Sequence, residues 1–118
     1  MDIMVNIGGY TSDKLFEALE IAISYDAIGH WGYIKLSSYD DTFKRIREGK
    51  PIDVFDIEDN EKLATMTKES IHEGFELMIN EFPHEFANLM TDIDDTEDAD
   101  ILFQLCCFEE VMFNQIDE

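Results

Sequence analysis

Positive charge is what this sequence has least of. Eight lysines and arginines stand against 28 aspartates and glutamates, a formal net charge of −20 over 118 residues. The last cation is Lys68, so residues 69–118 carry fifteen acids and no base. Such a field repels nucleic acid and anionic lipid, which argues against direct DNA or RNA binding and against a membrane-surface role; it attracts basic protein surfaces. An apolar run long enough to cross a bilayer is lacking, and Met1 to Tyr10 is too short and too acidic, with Asp2, for a secretory signal. The expectation is a cytosolic protein. Cysteine is scarce as well: Cys106 and Cys107 are adjacent, where a bridge would distort the backbone, so they read as reduced core residues and not as a disulfide framework.

Familiar chemical motifs are also missing. Gly-x-Ser-x-Gly, phosphate-loop and dinucleotide fingerprints do not occur. Asp92-x-Asp94 opens like a calcium loop, but Thr96, Glu97 and Phe103 stand where an acid or amide, a glycine and the twelfth-position glutamate are required. His72-Glu73 and His84-Glu85 each lack the second histidine of a zinc helix. No catalytic residue, metal site or cofactor is therefore expected. Gly8-Gly9 before a helix suits a turn better than a phosphate cradle.

What is present is a foldable pattern. With 45% apolar residues, 118 residues suffice for one core and one domain. Asp92 to Gln115 organises the rest: a run of acids gives way at Ile101 to an apolar stretch through Phe108, interrupted only by Gln104, and Val111, Met112 and Phe113 continue it. Acids after an Asp95 or Thr96 cap suit the positive end of a helix, and a helix apolar on every side is a buried one. Upstream, Ile3 to Ile7 suggests a first strand. Ser12 caps a helix carrying Leu15, Phe16, Leu19, Ala22 and Ile23 to about Ala27, ended by Gly29. His30 to Leu36 reads as a strand with Trp31, Tyr33 and Lys35 on one face.

Asp40 or Asp41 caps a short basic helix closed by Gly49. Ile52 to Ile57 and Leu63 to Met66 form a hairpin around Glu58-Asp59-Asn60-Glu61. Thr67 caps a helix to Phe82 with Ile71, Phe75, Met78 and Phe82 on one stripe and Glu69, Glu73 and Glu76 opposite. A shorter helix with Phe86, Leu89 and Met90 inward follows Pro83. The expected fold is α+β: a short antiparallel sheet of about three to four strands packed with four to five helices around a buried C-terminal helix.

The segment from Asp95 to Asn114 resembles the C-terminal signature of a widespread family of small acidic bacteriophage proteins, in which an acidic turn leads into an apolar helix with a Phe-Gly-Glu ending. Asp98-Ala99-Asp100, Gln104, Phe108, Glu110 and Phe113 match as they stand. Gly29-His30-Trp31, Thr65 to Glu69 and Gly74 follow the family in order, while Glu109 and Asn114 stand where it has glycines. The resemblance implies a phage or prophage origin and supplies no catalytic residues.

Two groups of residues suggest function. Glu69, Glu73 and Glu76 project charges about 5–6 Å apart along one helix face, on the scale of phosphates along a strand. Joined by Asp92, Asp94, Asp95, Glu97, Asp98 and Asp100, they form a nucleic-acid-like surface for a basic nucleic-acid-binding host protein, as in anti-CRISPR or anti-restriction inhibitors. The alternative is a nucleotide-sequestering pocket built from Trp31 and Tyr33, beside His30, with the bases Lys44, Arg45, Arg47 and Lys50. A plain solvated acidic face on a phage accessory or assembly protein is the third reading, and homo-oligomerisation is left open.

Overall fold

A computed structural model describes residues 9–91 and 96–113. The chain runs α1 (Gly9–Ser24), β1 (Gly32–Tyr33), α2 (Tyr39–Arg47), β2 (Ile52–Asp56), β3 (Lys62–Met66), α3 (Lys68–Glu81), α4 (Pro83–Met90) and α5 (Thr96–Phe108). These elements make an α+β domain with a three-stranded antiparallel sheet of order β1-β2-β3. The strand expected at Ile3 to Ile7 lies outside the described residues.

Helix α5 is the element around which the others pack: α3, α1, α4 and β3 all lie against it. Leu102, Phe103, Leu105 and Cys106 are at most 1% exposed. Each large apolar side chain so buried is worth about 1.5–3 kcal/mol of transfer free energy. Both cysteines are free, and burial pushes the Cys106 thiol well above its ordinary range, with Cys107 adding to it. Gly74 of α3 crosses α5 closely, for a Cβ there would fall 2.7 Å from the Cys106 backbone. No described helix is long and apolar enough to cross a membrane.

The local reading holds best for α3 and the hairpin. Thr67 and Ser70 form a reciprocal capping box at 3.1 and 2.8 Å, and Ile71, Phe75 and Met78 are buried along the expected stripe. Strands β2 and β3 pair with Ile52 opposite Met66 and Val54 opposite Ala64, then shift register before Phe55 meets Lys62.

The ends of elements move where tertiary contacts outweigh local preference. Helix α1 already includes Gly9, so Ser12 lies within it, and it closes at Ser24. Asp26 at φ 58° lets the Ala27 N–H bond to Ala22 O at 2.9 Å and the Asp26 N–H to Ile23 O at 3.2 Å, a Schellman closure achieved before Gly29 is reached. Ser38, not Asp40 or Asp41, caps α2, accepting the Asp41 N–H at 3.0 Å in the register that buries Thr42 and Ile46. Of the strand expected from His30 to Leu36, only Gly32 and Tyr33 pair with β2, because Trp31 turns into the core and the chain beyond Tyr33 leaves the sheet toward α2. Finally, α5 stops at Phe108, where Glu109 adopts φ 64°, instead of continuing through Phe113.

Candidate interaction surface and the buried carboxylates

The acids expected at the start of α5 divide by register. Asp98 and Asp100 are 5% and 1% exposed, so they do not belong to a partner-binding surface. A carboxylate withdrawn from water must find donors, and both do. Asp98 accepts the Asn88 amide at 2.9 Å. Asp100 accepts the Trp31 indole N–H at 2.8 Å and the Gln104 amide at 3.2 Å, and lies 2.9 Å from His30 Nε2. Glu97 is exposed, whereas Asp92, Asp94 and Asp95 lie outside the described residues.

Gln104 extends this network to the chain beyond α5. Its side-chain oxygen accepts the Met112 and Phe113 N–H groups, each at 2.8 Å, and its amide donates to Phe113 O at 2.7 Å. Phe113 then stacks on Trp31 with centroids 5.0 Å apart and planes 3° from parallel, and Phe108 lies 5.6 Å from the same ring. Asp100, Gln104, Phe108 and Phe113 are thus spent on a latch that ties the chain beyond α5 to Trp31, while Asp98 bonds α4 and Glu110 stays exposed. The sequence offered one sign of it: Gln104 is the lone polar residue in an apolar run, and a buried amide requires partners. Nothing local identified Asn88 as the partner of Asp98 or His30 as that of Asp100.

The arrangement of the expected nucleotide pocket is overturned. Trp31 is 3% exposed and packed among aromatic rings, so it has no face for a ligand entering from solvent. Tyr33 is half-buried, stacks on Phe55 and donates its hydroxyl to Asn60 at 2.8 Å. Arg47 donates to Glu20 at 2.7 Å and Asp13 at 2.8 Å, clamping α2 to α1; the Glu20 bond leads the effects that raise its pKa. Lys44 is exposed on α2. Burial of Trp31 and the commitment of Arg47 to α1 leave these residues without a common pocket.

The α3 carboxylates keep the expected placement. Glu69 and Glu73 are exposed and Glu76 is half-buried. A further acid joins them that helical periodicity did not reveal. Glu109, turned by its left-handed backbone at the end of α5, reaches Glu73, and a hydrogen bond between the two carboxyls is the main reason the Glu73 pKa is raised, followed by the Glu109 charge, desolvation and the Glu76 charge. Glu110 is exposed beside it in sequence. Among the described residues no three His, Cys, Asp or Glu side chains converge as a metal site. Neither a protein-family model, nor a curated protein sequence, nor a solved structure matches the chain.

Proposed function

We propose that this chain is a non-enzymatic, phage-type protein that works in the host cytoplasm by binding a basic nucleic-acid-handling protein and occupying its nucleic-acid site, as a counter-defence inhibitor of the anti-CRISPR or anti-restriction kind would. The observation that carries this reading is the like-charge row Glu69, Glu73 and Glu76 with Glu109 drawn against Glu73. Like charges at helical i,i+4 spacing destabilise by a few tenths of a kcal/mol each. No lysine or arginine follows Lys68 in the sequence. A surface that sets one carboxylate against another fits a partner that supplies cations. Burial keeps both cysteine thiols protonated, which suits core packing and not nucleophilic attack.

The test is capture from nuclease-treated bacterial lysate at low salt with a salt-gradient elution. A basic DNA- or RNA-binding protein released steeply by salt is expected. The combined Glu69→Lys, Glu73→Lys and Glu76→Lys variant should keep its circular dichroism and lose that partner. Undiminished capture by the folded variant would remove the charge-mimicry reading.

A further inference from the structure

A cleft of about 340 Å³ lies between α2 and the edge of the sheet, with Lys35, Arg45, Ser37, Asp41, Asp53 and Phe55 among its walls. Its floor follows from the shortness of β1. The pairing of Gly32 with Asp56 and Tyr33 with Phe55, if continued, would set Lys35 opposite Asp53, but the chain leaves the sheet first. Main-chain groups alternate sides along a strand. Ile57 N–H donates to Trp31 O at 3.0 Å on the β1 side, and Asp56 N–H donates to Glu61 O at 2.8 Å on the β3 side. By that alternation the Asp53 N–H points to the β1 side, where no strand runs among the described residues. Pro51 O, two residues earlier and on the same side, accepts from Arg45 at 3.3 Å, so the guanidinium reaches this open edge.

The charges around the edge are unevenly committed. Asp41 already accepts the Ser37 hydroxyl at 3.0 Å; Asp53 accepts the Thr65 hydroxyl at 2.7 Å and lies 3.9 Å from Lys62 Nζ. Lys35 Nζ sits 4.3 Å above the Phe55 ring, and among the described residues neither Lys35 nor Arg45 stands in an ion pair. Both cations line the one cleft. The volume falls at the small end of the range for ligand sites.

We propose that this cleft binds a small molecule through a terminal oxyanion, a phosphate or carboxylate group, held by Lys35, Arg45 and the Asp53 N–H. A forked guanidinium, an ammonium and a backbone donor together suit that geometry. The acidic surface elsewhere does not forbid it, because at physiological salt charges beyond about 8 Å are largely screened and the local cations set the sign. This site shares no residue with the α3 carboxylates, so it stands or falls independently of the partner-binding reading.

The experiment is an amide chemical-shift titration of the full chain with three probes: inorganic phosphate, adenosine monophosphate and succinate. Saturable shifts centred on Asp53, Lys35 and Arg45 are expected at millimolar concentration. The Lys35→Ala/Arg45→Gln variant should weaken them by about tenfold or more, one decade being the loss of a single charged contact. The Lys44→Ala/Lys68→Gln variant, which removes the same charge outside the cleft, should leave them unchanged. Response to phosphate and adenosine monophosphate alone assigns a phosphate ligand, and response to succinate alone a carboxylate one. Shifts that never saturate, or that weaken equally in both variants, overturn the proposal, and so does silence with all three probes.

Discussion

Two groups of carboxylates, on neighbouring helices, have opposite fates. On α5, Asp98 and Asp100 are buried and ringed by donors; on α3, Glu69 and Glu73 face solvent, and Glu73 meets another acid. The chemical group is the same, so what separates them is the partner each register offers. Asp100 faces the indole and imidazole brought in by the turn after α1, and Gln104 one helical turn along its own helix. Glu73 faces water and Glu109. The first arrangement contributes to folding. The second opposes it, and is therefore the better candidate for something selected outside the fold.

Breaking the buried set should give the largest effect. Asp100→Ala removes the acceptor for Trp31 and Gln104 together and leaves buried donors without partners, each such loss being worth about 1–3 kcal/mol and more around a charge. A destabilisation of about 3 kcal/mol is expected in urea unfolding, with a change in Trp31 fluorescence as Phe113 loses its stacking position. Wild-type stability in this variant would mean that Asp100 is as dispensable as a surface acid, and the distinction between the two groups would collapse.

The next largest effect concerns the crossing that brings the two helices together. Gly74→Ala ordinarily favours a helix by about 1 kcal/mol. Here the new methyl would press on the Cys106 backbone, so the sign should reverse, with a loss of about 2 kcal/mol from forced separation of α3 and α5. The same variant should loosen the contact between Glu73 and Glu109. A stabilised Gly74→Ala protein would show that the helices can part without loss, measured most simply by the thermal midpoint.

Much of the framework was legible because it is written in local periodicity. The stripe Ile71, Phe75 and Met78, the Thr67 cap and the β2–β3 turn need only neighbours within one or two turns of chain. The burial of α5 was equally legible from its all-round apolar character. The split among its acids was not. A cluster of aspartates at a helix start looks the same whether it caps the dipole or anchors a tryptophan, and the deciding donors, His30 and Trp31, lie about seventy residues away. For the same reason an aromatic strand beside bases suggested a pocket, when Trp31 was already committed to Asp100.

The end of α5 was half legible. The phage-type pattern has glycine where this chain has Glu109, and the backbone there is at φ 64°, a conformation glycine adopts without steric cost and other residues adopt at about 1–2 kcal/mol. Glu109→Gly should therefore raise stability by about 1 kcal/mol while also removing the charge that faces Glu73. A lower midpoint would show that the Glu109 side chain makes a compensating contact. If partner capture falls as stability rises, the residue trades folding for binding.

The smallest expected effect is the most diagnostic of the exposed set. Glu109 holds the Glu73 carboxyl above its ordinary pKa of 4.5, so the folded protein binds that proton more tightly than the unfolded chain. Stability attached to this group is then fully present below pH 4.5 and is lost as pH rises through the higher folded pKa, leaving a penalty at neutral pH. Glu73→Gln, which cannot ionise, should melt above wild type at pH 7, and the gap should close on acidification toward pH 4, where the wild-type carboxyl is protonated too. Asp100 gives the contrast, because its replacement should cost stability at pH 7 through lost hydrogen bonds whatever the state of Glu73. If Glu73→Gln melts with wild type at both pH values, repulsion on this face is negligible. The acids of α3 would then be a solvated surface with no energetic trace of a missing partner.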